Sequence, residues 1–583
     1  MLAGKTLVDE KVFLIVPHGI AEIDCLDSPA VTFKLVDDHP TEVLFVNGIV
    51  HIIASLAIAA CASTAAAVPS AAPDSLYHEL YRPQYHFTPA HRWIGDPCGL
   101  VKYRGRYYSY SWGGAESSDL VHWTETSQHA IKGLPAGISA FTGSVVVDTA
   151  GTAGYGPGAM IAAFTGFHED SKKQEQSIAF SVDSGRSYQY YDLNPVIDTW
   201  STEFRDPTVI PDPEHRQWVM FVAKALEKKV AIYGSPDLKH WNHLSDFGPL
   251  GDSERSWECP DIFRIPVENR HGRFKWVMVL SINWARQQYF VGEFDGTRFI
   301  PDHPERYPLY LDQGLDYYAA RVFQDYDRHD GPVHTLAWVN TWDYAQHAPT
   351  TYGKGSWSIP RESRLVSTPD GYRLRQLPAR ALESLRGKPY TATLALKPGA
   401  TPIPAVSRMD NTYELHATFS NLGTSTVGLN LFQGDGRALV LTYNPVARRL
   451  ILDRTNTTPE DIPHFPRITS ALISQPEVSQ QSAPHDATAD IQVFNPRTAR
   501  AIPASASRKA VNGTDPADTL TLTVFVDKSL VEIFVNDGST VLTALTFAAP
   551  SQTGISAFAI PQPEAKTAHP SLSLTAYPLA SIH

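Results

Sequence analysis

From Tyr81 to about Leu385 the chain is written in short runs of aromatic and β-branched residues. Among them are Arg106 to Trp112, Ser144 to Val147, Met160 to Phe164, Trp218 to Ala223, Val230 to Gly234, Trp276 to Ser281, Tyr289 to Phe294 and His334 to Val339. Gly, Pro, Asp and Asn separate them, and no long segment repeats apolar residues at the helical period. Such spacing restricts the region to an all-β architecture: a propeller, a barrel or a sandwich. The pattern alone leaves all three open.

A length of 583 residues exceeds one ordinary core, so about two to four domains are expected. A Pro-rich crossing, Leu396-Lys397-Pro398-Gly399-Ala400 through Pro402 and Pro404, marks a linker region over 386–412. Strand-like runs then resume from Tyr413 to the C-terminus. Leu522 to Asp527 followed by Val531 to Gly538 is a strong hairpin signal. Within that second region, a Ser-, Ala-, Pro- and Thr-rich stretch over about 457–518 reads as a surface insertion. The remaining boundaries are an N-terminal extension over 1–73 and a first β domain over 74–385.

The extension carries an Ala-rich apolar run over 49–72 that ends in small residues, as a secretory segment and its cleavage site do. Asp37, Asp38 and Glu42 stand where a signal peptide carries Lys or Arg, so a membrane anchor and a non-secretory extension are the other two readings. The expectation is a secreted, extracellular protein without stable membrane association. Of four cysteines, Cys25 and Cys61 lie in the extension, leaving Cys98 and Cys259, too few for a disulfide framework. Asn456-Thr457-Thr458 and Asn512-Gly513-Thr514 are N-glycosylation acceptors in a secreted chain.

With 49 Lys+Arg against 61 Asp+Glu and a formal charge of −12, there is no basic surface for nucleic acid. No Cys or His spacing points to a metal, and none is expected, nor an organic cofactor.

Three acidic side chains sit in similar settings. Trp93-Ile94-Gly95-Asp96-Pro97-Cys98-Gly99 places Asp96 in a turn before a strand-like run. Phe204-Arg205-Asp206-Pro207-Thr208 opens the run at Val209, and Trp257-Glu258-Cys259-Pro260-Asp261 the run at Ile262. A carboxylate held by Pro and Gly at a strand end is aimed by a rigid scaffold. One such turn is ordinarily just a turn; three suggest one site.

The combination resembles glycoside hydrolase family 32, the β-fructofuranosidases that include invertases, inulinases and levanases. Their acidic motifs W-x-N-D-P-x-G, R-D-P and E-C-P occur here in that order. Ser118-Asp119-Leu120-Val121-His122-Trp123, Phe141-Thr142-Gly143-Ser144, Gln176-Ser177-Ile178-Ala179, Asn194-Pro195-Val196, Asp316-Tyr317-Tyr318-Ala319-Ala320 and Ser358-Ile359-Pro360-Arg361-Glu362 are similar to further family segments. The resemblance runs from about Tyr81 to the C-terminus. It implies a five-bladed β-propeller catalytic domain followed by a C-terminal β-sandwich.

It also implies roles. Glycoside cleavage with retention needs an acid for the leaving oxygen and a carboxylate that attacks the anomeric carbon. By motif position Asp96 is the nucleophile, Glu258 the acid and then the base, and Asp206 the transition-state stabiliser. Arg205 is expected to keep Asp206 ionised. Trp257 and neighbouring carboxylates are expected to raise the Glu258 pKa, giving a mildly acidic optimum. Trp93, Trp112, Phe141, Ser144, Arg205, Trp257 and Trp338 are the expected substrate-binding residues.

Two departures bear on the substrate. The family's Asn before the nucleophile is Gly95, and the Gln-bearing loop after the first strand is shortened around Tyr110 to Ser118. In relatives both side chains contact fructose hydroxyls. The expected partner is an oligo- or polysaccharide: sucrose, inulin or levan. A fructosyltransferase using the same intermediate, and a non-catalytic fructan-binding protein, are the rival readings.

Overall fold

The computed structural model describes residues 76–127, 129–328, 332–458, 461–473, 518–561 and 569–583, together with four short strands before residue 36. Those strands, Lys5–Val8, Lys11–Val16, Gly19–Asp24 and Phe33–Leu35, form an antiparallel sheet in a separate N-terminal unit. The apolar run over 49–72 and the greater part of the low-complexity insertion lie outside the described residues.

Five mainly antiparallel sheets of four or more strands follow one another from Cys98 to Pro378. The innermost strands are β1 (Cys98–Tyr103), β2 (Ile138–Asp148), β3 (Phe204–Asp212), β4 (Trp257–Pro266) and β5 (Tyr318–Val322). Each touches the next, and β5 touches β1, so the sheets close into a ring of five blades. Gln324–Asp325 pairs in parallel with β1 and ties the last blade to the first.

The inner strands read as continuous apolar runs because both faces are covered. Successive side chains point to opposite faces. Thus Val145 and Val147 of β2 pack with Val101 and Tyr110 of the first blade, while Val146 packs with Val209 and Met220 of the third. Ile210 faces the fourth blade, beside Ile262 and Met278, while Phe263 faces the fifth, beside Ala320 and Ala337. Leu100 and Tyr107 meet Phe323 and Leu336 to complete the circle. Each interface buries large side chains at about 1.5–3 kcal/mol apiece.

The C-terminal domain is a sandwich of two six-stranded sheets. The Pro-rich segment expected to be a linker is part of it: Tyr390–Ala395 and Gly399–Pro402 are edge strands of the two sheets. Pro402 closes such an edge strand, where its missing N–H costs no ladder bond. Ile468–Leu472, inside the expected insertion, is the opposite edge of the second sheet. The hairpin is present, with Thr519–Asp527 against Leu530–Val535.

Buried charges join propeller to sandwich. Arg361 donates to Asp312 at 2.9 Å and from Nε to Glu532 at 2.9 Å. His86 lies between Asp527 at 2.8 Å and Glu532 at 3.0 Å.

Candidate active site

All five inner strands break register at the same place. The ladder slips between Cys98 and Val101, Ala140 and Gly143, Arg205 and Thr208, Glu258 and Asp261, and Tyr318 and Arg321. Four of these bulges hold a left-handed residue: Gly99 (φ 59°), Asp206 (64°), Cys259 (47°) and Ala319 (51°). A bulge kinks a strand and re-aims its side chains. It also has room for proline, which cannot serve a regular ladder. Asp206-Pro207 and Cys259-Pro260 in the sequence are therefore the written form of two bulges. Together the bulges collect Thr142, Asp206, Glu258, Cys259 and Tyr318 around Asp96.

Asp96 Oδ2 accepts from the Thr142 hydroxyl at 2.8 Å and lies 3.4 Å from Cys259 Sγ. Its Oδ1 is buried without a hydrogen-bond partner among the described residues. Asp206 Oδ2 accepts from the Cys259 N–H at 3.0 Å and lies 3.6 Å from the same thiol. The Asp206 N–H is held by Thr165 at 2.8 Å. Cys259 thus stands between two of the three carboxylates.

Arg205 donates to Glu258 Oε1 from Nε at 3.2 Å and from Nη2 at 2.8 Å. Its Nη1 reaches Gln174 at 3.1 Å and Glu203 at 2.7 Å. The Tyr318 hydroxyl donates to Glu258 Oε2. Arg321, buried beneath, donates to Thr208 and, at 2.7 Å, to the Pro260 carbonyl, stapling two bulges together.

Burial pushes all three carboxyls above their ordinary values. For Glu258 burial is opposed by Arg205 and reinforced by Asp206. For Asp96 burial is opposed by Thr142 and reinforced by Glu258. Asp206 is also raised, because burial outweighs the neighbouring Arg205. Arg205 opposes that burial at Asp206 while its guanidinium hydrogen-bonds Glu258.

Among the expected substrate contacts, Arg205, Trp93 and Trp338 lie at the site, the two tryptophans packing with Cys259 and Tyr318. Phe141, half-buried, stacks on Phe167 beside Thr142. Three others pack elsewhere. Trp257 is fully buried between blades against Phe247 and Phe290, its indole N–H on the Asp252 carbonyl. It therefore supplies no wall for Glu258. Trp112 belongs to the core between the first two blades, with its N–H on the Phe141 carbonyl. The buried Ser144 hydroxyl accepts from the Val209 N–H at 2.9 Å and links two blades.

Thr142, Gln174, Cys259, Tyr318 and Arg321 were not expected as site residues. Thr142 and Tyr318 sit inside segments whose family likeness was legible, but the likeness assigned them no contact. Cys98 and Cys259 are both free and buried. Burial pushes the Cys98 thiol up to about 12 and Cys259 well above the ordinary range.

A buried carboxylate with one free oxygen, opposite a carboxyl held above its usual range, has the components of a glycoside-cleaving site. On a closed five-bladed ring followed by a sandwich, these features define the class as a glycosidase. The profile of the N-terminal domain of glycosyl hydrolases family 32 matches residues 86–378, and that of the family's C-terminal domain matches residues 381–578. The chain belongs to this family. It is 33% identical over 523 residues to a levanase of Bacillus subtilis (strain 168), covering 84% of this chain and 70% of that one. It is 30% identical over 528 residues to an extracellular exo-inulinase of Aspergillus awamori, covering 81% and 90%. The crystal structure of the exo-inulinase from Aspergillus awamori superposes with a TM-score of 0.72 at 27% identity, covering 87% of this chain and 100% of that one.

Proposed function

We propose that this protein releases fructose from β-D-fructofuranosides, sucrose or a fructan, with retention and through a covalent fructosyl-enzyme intermediate. The observation that carries the reading is the buried, unpartnered Oδ1 of Asp96 in a cluster with Glu258, whose carboxyl burial raises above its ordinary pKa. Asp96 Oδ1 attacks the anomeric carbon while Glu258 gives its proton to the leaving oxygen. Glu258, now ionised, takes a proton from the water that cleaves the ester. Thr142 holds the nucleophile in aim, and Asp206 accepts from fructose hydroxyls as the ring flattens. Levanase and exo-inulinase relatives support the substrate class.

Secretion belongs to the same reading, supported by the Ala-rich segment over 49–72 and by the extracellular exo-inulinase relative. Among the described residues, no helix is long and apolar enough to cross a membrane.

The test is fructose and glucose release from sucrose, inulin and levan by the protein and by Asp96→Ala and Glu258→Gln. Losses of about 10³-fold or more in both variants are expected. Equal glucose and fructose from concentrated sucrose mark hydrolysis, and a fructose deficit marks transfer. Variants as active as the parent would sink the assignment.

A further inference from the structure

Among the described residues the buried arginines are Arg82, Arg321, Arg361 and Arg454. Three of them meet a carboxylate: Arg82 meets Glu79, Arg361 meets Asp312 and Glu532, and Arg454 meets Asp316. Arg321 has only neutral partners. Its Nη1 donates to the Thr208 hydroxyl and, at 2.7 Å, to the Pro260 carbonyl, and its Nη2 reaches the Asp206 main-chain carbonyl at 3.4 Å. Its Nε is buried without a hydrogen-bond partner among the described residues. A guanidinium stays charged throughout the range in which proteins fold. Burying that charge without pairing it is costly, so a cation kept in this way points to a use.

Its surroundings show what it acts on. Arg321 closes the bulge of β5, and its donors end on the bulges of β3 and β4. The Thr208 hydroxyl also donates to the Pro260 carbonyl, at 2.6 Å, so one oxygen gathers three of the inner strands. The titratable groups that face the guanidinium are Asp96 and Cys98 from the first blade, Asp206 from the third, and Cys259 and Asp261 from the fourth. The carboxylates among them take their hydrogen bonds elsewhere: Asp96 from Thr142, Asp206 from the Cys259 N–H, and Asp261 from the N–H groups of Ile262 and Val322. The cation is therefore held by neutral bonds and shared as charge. It opposes the burial that raises Asp96, Asp206 and Asp261, the last of which is still pushed up to about 6, whereas Glu258 drives Asp96 the other way.

We propose that Arg321 is a positioning residue for the nucleophile: fixed under three bulges, its charge is the counter-ion that favours ionised Asp96 and leaves the proton to Glu258. The proposal rests on the fructosidase reading and adds to it the group that keeps the two carboxyls in different states.

The test measures kcat/KM on sucrose against pH for the full chain and four variants. Arg321→Gln and Arg321→Met remove the charge; Arg321→Lys and Thr208→Val each weaken the bonding and keep a cation. In the two neutral variants the acid limb is expected to move up by about one pH unit, with about a tenfold loss on that limb. In Arg321→Lys and Thr208→Val it should stay within about 0.3 of the parent, because an ammonium is charged at that pH. An acid limb that the neutral variants leave in place, or that all four variants displace alike, overturns the proposal.

Melting temperature against pH needs no substrate and so separates this result from failure of the fructosidase reading. Without Arg321 the facing carboxyls rise further above their unfolded value of about 4. That penalty is absent below the unfolded value and grows as pH climbs through the folded pKa. The melting deficit of Arg321→Gln and Arg321→Met should therefore widen from about pH 4 to about pH 7. Neutral variants that fold only at the acid end are the extreme of the same result. A deficit that is equal at both ends, or variants that fold at neither, would confine Arg321 to packing and overturn the proposal, whatever the protein cleaves.

Discussion

Arg205 grips Glu258 with two nitrogens, Nε at 3.2 Å and Nη2 at 2.8 Å from one carboxylate oxygen. The pair holds opposing tendencies. Burial drives Glu258 towards the neutral form that the proposed role of general acid needs, and the guanidinium pulls it back. Bound substrate that competes for the guanidinium would release the carboxyl to its protonated state.

Replacing Arg205 by Gln therefore moves the Glu258 pKa further up. An acid works below its pKa, so the alkaline limb of kcat/KM shifts to higher pH. The rate at the optimum falls at least about tenfold, since a charge-assisted contact worth about 1.5–3 kcal/mol is lost. A pH profile with an unmoved alkaline limb would show that Arg205 does not tune the acid.

Thr142 acts on the other side of the reaction. Burial raises Asp96, and the Thr142 hydroxyl opposes it. Thr142→Val keeps the shape and removes the donor. In the proposed mechanism Asp96 must be ionised to attack, so the acid limb of kcat/KM moves up in pH, and activity at the optimum falls about tenfold. Loss of activity without movement of the acid limb would confine Thr142 to packing.

How far the site was legible follows from what a bulge demands of sequence. Asp206-Pro207 and Cys259-Pro260 are visible because proline inside an apolar run is foreign to a regular strand, and the same bulges aim the carboxylates. Trp257 misled because it stands next to Glu258. In a strand neighbouring side chains take opposite faces, so the residue beside the acid belonged to the inter-blade core. Tyr318 and Arg321 were silent because their partners, Glu258 and Thr208, come from other blades. The expected linker misled because its prolines mark edge strands as well as tethers. Ring closure could not be read from strand spacing, since it depends on β5 meeting β1.

Gly95 is the departure that the structure makes testable. Its φ is not left-handed, and a Cβ there would meet nothing nearer than the Trp93 indole nitrogen at 3.4 Å, an ordinary contact. The backbone therefore does not require glycine. Gly95→Asn should fold normally and restore the amide that the family resemblance implies for fructose binding. An increase of about threefold to tenfold in kcat/KM on sucrose is expected, one hydrogen bond's worth. Unchanged kinetics would mean that fructose is held differently in this pocket.

The last prediction concerns the joint between the domains. His86 is fully buried between Asp527 and Glu532. Burial alone would lower its pKa, but hydrogen bonds to the two carboxylates outweigh it and the pKa is raised. A raised pKa means that protonation favours the folded state. This contribution is fully present below the unfolded value of about 6.5 and is lost as pH climbs through the folded pKa. Melting temperature should accordingly decline across the alkaline side of that window. His86→Asn leaves two buried carboxylates short of a cation and should cost about 3–5 kcal/mol. It should also flatten the decline, because the titrating group is gone. Parallel melting curves for parent and variant across pH would exclude His86 as the source, leaving Arg361, which also contacts Glu532, to carry the joint without a pH-dependent partner.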